Sequence, residues 1–305
     1  MTTTPAPVSP PLLAFAQAMR SEYRATIPAA GTPDPVAEVR SLSIAADHPP
    51  RQIPVRLYLP ARPDRTPLPV VVFMHGGGFV SGDLDTHDVL TRALANSLSA
   101  IVIAVDYRLA PEHPFPAGAE DGYAVLAWAS TNADQLGGDA ARIAVAGDSA
   151  GGNLATVMAM LARDRRGPGL VAQLLMYPSV GNKMDTPSWQ QLGDRNFPTR
   201  QVMQNVLAAY VPQGMGACDS LIAPLWADLQ GLPATLLQVG EQDPLRDEGS
   251  DYATQLAAAG VSATAIVYPG AVHGFIQFFK DTAHHPLGAQ GLRDGVAFLR
   301  DAFSR

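Results

Sequence analysis

The chain holds a single cysteine, Cys218, in 305 residues. An intrachain disulfide is therefore excluded, and with no thiolate-stabilising neighbour beside it the thiol reads as inert. No stretch approaches the roughly 20 consecutive apolar residues of a membrane span. The opening segment, "MTTTPAPVSPPLLAFAQAMR", lacks a basic leader and a sustained apolar core, so it does not read as a secretory signal. These absences point to a soluble, cytoplasmic protein. Basic clusters are missing too: the formal charge is −7, and "RDRR" at 163–166 is short enough to be the charged end of a helix. A nucleic-acid surface is excluded on that ground. Nor is there a cluster of residues with metal-ligand spacing; His284 and His285, next to Pro286, read as solvated. No metal and no cofactor are expected.

What is present is apolar and regular. Hydrophobic residues make up 47% of the chain, enough to bury a large core without covalent staples. Leu12, Phe15, Ala16, Met19 and Tyr23 fall at helical spacing within residues 10–24. Two alternating runs, "SLSI" at 41–44 and "IPVRLYL" at 53–59, read as early strands of a mixed sheet. Near-continuous apolar runs then recur at 70–74, 100–105, 142–147, 172–177, 234–240 and 262–268, as in strands buried on both faces. Helical stretches at 86–98, 117–130, 150–163 and 247–259 lie between most of them, which implies parallel βαβ units covered on both sides. Residues 180–216 break this rhythm with more chain than a connection needs, and they carry Trp189, Phe197, Met203 and Tyr210. The expectation is one α/β domain over 1–305, with cap elements at about 1–45 and 180–216.

The chemistry centres on "VAGDSAGGN", residues 145–153. It fits G-x-S-x-G, in which a serine occupies a sharp strand-to-helix turn, and "RIAVAG" before it and "SAGGNLATVMAMLARD" after it supply strand and helix. Small neighbours make sense there, because adjacent backbone comes too close for a Cβ. A serine hydroxyl needs a base to become a nucleophile. It also needs donors for the oxyanion, and "HGGGF" at 75–79 follows an apolar strand. Gly77 and Gly78 can turn their N–H groups toward one point, joined by the N–H of Ala150 at the start of the next helix. A phosphate-binding loop would want the Lys-Ser/Thr of a Walker motif, which "GFVSGD" lacks.

Base and acid should follow the serine in the order serine, acid, histidine. Of the seven histidines, His273 in "YPGAVHGF" sits in a loop just past a late strand. His75 has the wrong chain order for a base and reads as a buttress of the glycine loop; His113 reads as structural, and His48 and His87 as surface residues. For the acid, "LLQVGEQDPLRDEG" offers Glu241, Asp243, Asp247 and Glu248. Asp243 is preferred as a loop residue stiffened by Pro244, whereas Asp247 stands where it can cap a helix.

Taken together, "HGGGFVSGDLDTHD", "DYRLAPEHPFPA", "GDSAGGN", "DPLRDEG" and "HGF" resemble the hormone-sensitive lipase family of α/β-hydrolases, near its bacterial carboxylesterases. The motifs run in the family's order from residue 75 to 275. The resemblance implies an eight-stranded, mostly parallel sheet with helices on both faces and a helical cap. It also implies Ser149 as nucleophile, Asp243 as orienting acid, His273 as general base, and Gly77, Gly78 and Ala150 as oxyanion donors. Asp148 places the chain with the "GDSAG" members, and "YRLAPEHPFPA" is expected to support the sheet and the glycine loop. Family members often form homodimers through the last strand, here "SATAIVY". The implied activity is hydrolysis of short- to medium-chain carboxylic esters through an acyl-enzyme, with a small-molecule ester as partner. An amidase or peptidase would use the same triad. A ligand-binding protein on a dead hydrolase scaffold, like the plant gibberellin receptors, is expected to have lost a triad member. A lipase working at an oil interface would favour a more apolar lid than this Gln-, Asp-, Arg- and Lys-bearing insertion.

Overall fold

The computed structural model describes residues 8–47, 49–212, 215 and 219–305. Cys218 and His48 lie outside the described residues, as do positions 1–7, 213, 214 and 216 of the expected cap. The N-terminal amphipathic stretch forms helix α1, Pro10–Ala25, with Pro at its start and Ala16 fully buried. An antiparallel hairpin follows, β1 Glu38–Asp47 and β2 Pro50–Leu59. The last residues of the expected N-terminal cap element, about 1–45, overlap β1. Leu42 and Ile44 lie opposite Val55 and Ile53 in the ladder, so the alternating run at 41–44 is the sheet strand its pattern implies.

Strands and helices then alternate. β3 Leu68–Met74, α2 Asp88–Leu98, β4 Ile101–Val105 and α3 Ala117–Asn132 come first. β5 Gly138–Asp148, α4 Ala150–Asp164 and β6 Ala172–Met176 follow. After the inserted helices α5 Pro187–Leu192 and α6 Arg200–Tyr210 come β7 Ala234–Gly240, α7 Arg246–Ala258, β8 Ala263–Tyr268 and α8 Gly288–Ala302. The eight strands form one sheet in the order β1-β2-β4-β3-β5-β6-β7-β8. Pairing is antiparallel for β1–β2 and β2–β4 and parallel from β4 to β8.

Every residue of β3, β4 and β6 is buried, as their unbroken apolar runs require. The side chains divide by alternation. Val70, Val72 and Met74 join the core under α3, α4 and α7, with Leu126, Leu154 and Leu256. Val71 and Phe73 join the core on the other face, under α2 and α8, with Leu94 and Leu299. One sheet thus supports two hydrophobic layers, and its parallel strands all end on the same side.

The insertion starts and finishes on α4. Asn153 donates its amide to the carbonyls of Ser179, at 2.7 Å, and Ile222, at 2.9 Å, so one buried side chain pins both ends of the excursion. Thr186 and Thr199 cap α5 and α6 by accepting from Trp189 N and Val202 N. α1 packs against α6. Arg20 fastens α1 to the core by donating to the Val80 and Ala110 carbonyls and pairing with both oxygens of Glu112.

Candidate active site

The turn from β5 into α4 places Ser149 at φ 55°, ψ −119°, a conformation that L-residues avoid. What allows it is the absence of side chains around it. A Cβ on Gly147 would strike the Gly151 carbonyl, one on Gly151 the Met74 and His75 carbonyls, and one on Gly152 would lie 2.9 Å from Pro178. The turn is tied to the next strand by Ser149 N–H donating to Met176 O at 2.8 Å. These contacts answer why small residues crowd this serine: β3 and α4 close directly on the turn.

Asp243 follows β7 and His273 follows β8, so both lie beyond the same edge of the sheet as Ser149. His273 Nε2 is 2.8 Å from Ser149 Oγ, and its Nδ1 is 2.7 Å from Asp243 Oδ2. The other carboxylate oxygen of Asp243 accepts Leu245 N–H at 2.8 Å, which fixes the rotamer of a wholly buried side chain. The other three acids of that segment are engaged elsewhere. Glu241 accepts Gly270 N–H, Asp247 accepts Ser188 N–H, and Glu248 accepts from Gly181 N and Trp189 Nε1. Burial pushes the Glu248 carboxyl up to about 8, and the charge of Asp243 adds to the shift.

The glycine loop after β3 runs close to the serine. Gly77 and Gly78 adopt φ 121° and 63°. At Gly77 a Cβ would strike the Ser81 carbonyl, so the position requires glycine. His75 braces the loop as expected: Nδ1–H donates to Gly76 O at 2.8 Å, and the ring stacks on Tyr107 at 4.2 Å. Burial, with His87 nearby, pushes the His75 imidazole down to about 4, so it is neutral. Tyr107 and Ala110, in the "YRLAPEHPFPA" stretch, donate to His75 O and Phe79 O, which matches the supporting role expected of that stretch. Ala150 N–H opens α4, where first-turn amides lack helical partners.

His87 overturns an expectation. Its sequence context implies a surface residue, yet it is 1% exposed, with Nε2 3.0 Å from Asp148 Oδ1. The helix N-terminal position and polar neighbours "DTHD" look solvated in one dimension, but Tyr23 of α1 packs edge-on against the His87 ring, with 5.9 Å between centroids. His284 is exposed and pairs with Asp281, as a solvated histidine would. His285 is half-buried and stacks on Phe278, a correction to the solvated reading of that pair.

A cavity of about 280 Å³ opens onto Ser149 and His273. Met19 and Tyr23 of α1 and Val202, Met203 and Val206 of α6 wall it, with Phe197 at its rim. Trp189 and Tyr210 instead pack in the core, where Tyr210 stacks on Phe79 at 3.9 Å. Among the described residues, no group of three His, Cys, Asp or Glu could hold a metal ion. Among the same residues, no helix is long and apolar enough to cross a membrane.

A strand-turn-helix serine bonded to a histidine and an acid from later strand ends defines a hydrolase of the α/β class. Comparison agrees: residues 71–277 match a family of α/β hydrolase fold. The chain is 49% identical over 255 residues to carboxylesterase NlhH of Mycobacterium tuberculosis, covering 82% of this chain and 78% of that one. It is 36% identical over 251 residues to an ethyl acetate hydrolase of Pseudomonas putida, covering 81% and 78%. The solved carboxylesterase EstE1, from a metagenomic library, superposes with a TM-score of 0.87 at 38% identity, covering 96% and 97%. The chain belongs to the α/β-hydrolase family, in the hormone-sensitive lipase group that its motifs resemble.

Proposed function

We propose that this enzyme hydrolyses small carboxylic esters of short or medium acyl chain by a serine mechanism. The observation that carries the reading is the unbroken chain from Ser149 Oγ through His273 to Asp243, at 2.8 and 2.7 Å. Ser149 Oγ attacks the ester carbonyl while His273 Nε2 takes its proton. Asp243 holds Nδ1–H and so keeps the lone pair of Nε2 facing the serine. The oxyanion forms against the N–H groups of Gly77, Gly78 and Ala150. His273 then gives its proton to the departing alcohol, leaving an acyl-serine, and water repeats both steps to release the acid.

Residues 8–37 with α1, and the insertion from 180 with α5 and α6, act as the cap of a single domain. The support is their place over the cavity: α1 and α6 supply its walls. A cavity of about 280 Å³ with a Met, Val and Phe lining suits a small ester better than a long acyl chain. The relative named ethyl acetate hydrolase agrees in scale. The enzyme works in the cytoplasm, where a chain with one cysteine needs no oxidising compartment. It forms a homodimer through β8, which among the described residues is an edge strand beside β7 and exposes 45% of Val267. Sedimentation of the intact chain reads that state.

Hydrolysis of p-nitrophenyl esters of rising acyl length, by the wild type and by Ser149→Ala, tests the activity. Turnover that peaks at short or medium chains and vanishes in the variant, with circular dichroism unchanged, is the expected result. A folded wild type without turnover refutes the reading.

A further inference from the structure

Beneath the glycine loop lies a polar cluster that the reaction as described does not use. Asp148, the residue before Ser149, is 1% exposed, and its Oδ1 accepts Gly76 N–H at 2.8 Å. A Cβ on Gly76 would collide with this carboxylate, so loop and acid fit each other directly. His87 Nε2 approaches the same Oδ1 at 3.0 Å. Tyr23 of α1 lies 3.4 Å from that nitrogen and gives its own hydroxyl hydrogen to Gln277 Oε1, at 2.8 Å. The Gln277 amide is oriented by its Nε2 donating to Thr86 O, so Oε1 faces Tyr23. Both neighbours of His87 Nε2 are therefore acceptors, and Nε2 carries a hydrogen. Thr86 Oγ1, 2.9 Å from Nδ1, holds the other side of the ring.

We propose that His87 is a positioning residue for ester hydrolysis: its Nε2–H holds the Asp148 carboxylate where Oδ1 accepts Gly76 N–H. It thereby fixes the glycine loop against the turn that carries Ser149. The inference rests on reading Gly77 and Gly78 as oxyanion donors. A buried carboxylate left with one backbone donor is under-partnered, and it turns toward another donor. That turn withdraws the acceptor from Gly76, and the two amides after it move with the backbone. Pre-set donors act on the charge that develops in the transition state. The α6 walls of the cavity, Val202, Met203 and Val206, stand on a separate element and keep their hold on the substrate. Loss of the contact therefore lowers kcat and spares KM. Through Tyr23 and Gln277 the same imidazole also ties α1 to the segment that follows His273.

The test compares His87→Leu, His87→Gln and His87→Asn on p-nitrophenyl butyrate, beside Ser149→Ala. Leu keeps the volume and removes the donor; its kcat should fall roughly 10- to 100-fold, with KM within about threefold of the wild type. Gln places an amide N–H where Nε2 stood and should restore kcat to within about fivefold of the wild type, whereas Asn is one methylene short and should not. If the Leu variant does not fold, the Gln–Asn comparison carries the test alone. A Leu variant with wild-type kcat and only a lower melting temperature overturns the proposal, and so do equal kcat values for Gln and Asn. Should Ser149→Ala keep its turnover, the reading of the site itself has failed. If Ser149→Ala is inactive while the His87 variants match the wild type, only the role of His87 is lost.

Discussion

Replacing Asp243 by Asn isolates what the acid does, because the two oxygens have different partners. Oδ1 accepts Leu245 N–H at 2.8 Å, and Oδ2 faces His273 Nδ1 at 2.7 Å. An amide of the same shape has one oxygen to offer. If that oxygen stays with Leu245, the NH₂ faces Nδ1, which must then become the acceptor. The proton moves to Nε2, and the histidine can no longer take one from Ser149. If the amide flips, its NH₂ meets Leu245 N–H in a wholly buried place, donor against donor. The first arrangement is cheaper, so the variant folds with the wrong tautomer. Serine hydrolases given this defect lose about 10⁴ in kcat, equal to about 5 kcal/mol of transition-state stabilisation. Stopped-flow measurement of p-nitrophenol release, with excess ester, reads the acylation step directly. A variant within about tenfold of wild-type kcat would refute the assignment of Asp243.

Three further outcomes follow from contacts around the site. Val206 stands over the glycine loop, 3.0 Å from where a Gly78 Cβ would be, so Val206→Phe should shorten the cavity. kcat/KM for hexanoate esters should fall about tenfold further than for acetate esters, and an equal loss would show that the chain binds elsewhere. Gly151→Ala sets a methyl against the Met74 and His75 carbonyls and should cost about 3 kcal/mol in a urea melt, while an unchanged midpoint would contradict the packing of that turn. Stability should also depend on pH through two buried groups of opposite sign. Glu248, raised from 4.5 to about 8, holds a proton in the native state that the unfolded chain has released, so stability falls as pH rises through that window. His75, lowered from 6.5 to about 4, binds its proton only when unfolded in that range, so stability is lost as pH falls through it. Between 6.5 and 8 the Glu248 contribution acts unopposed by His75, at about 1.4 kcal/mol per pH unit, or about 2 kcal/mol in all. Urea melts of Glu248→Gln should be flat over that interval; the same decline as in the wild type would remove Glu248 as its cause.

The sequence by itself determined those features whose physical causes are local. Apolar runs buried on both faces mark β3, β4 and β6, since a strand that no water touches needs no alternation. The glycines around Ser149 and at Gly77 were legible because a tight turn limits its immediate neighbours. Asp243 and His273 were legible through motif and chain order, although their meeting depends on β7 and β8 lying side by side. The alternating run at 41–44 was legible as a strand, and it lies in β1, paired with β2. Only the tertiary structure decided the rest. Nothing near His87 in the chain announces burial; it follows from α1 closing over it, where Tyr23 bonds to Gln277, a residue 254 positions away. The cavity was equally hidden, for Met203 and Phe197 line it while Trp189 and Tyr210 pack in the core. Residue type sets how much surface a side chain wants to bury, and the partner that buries it is chosen by contacts between segments remote in sequence.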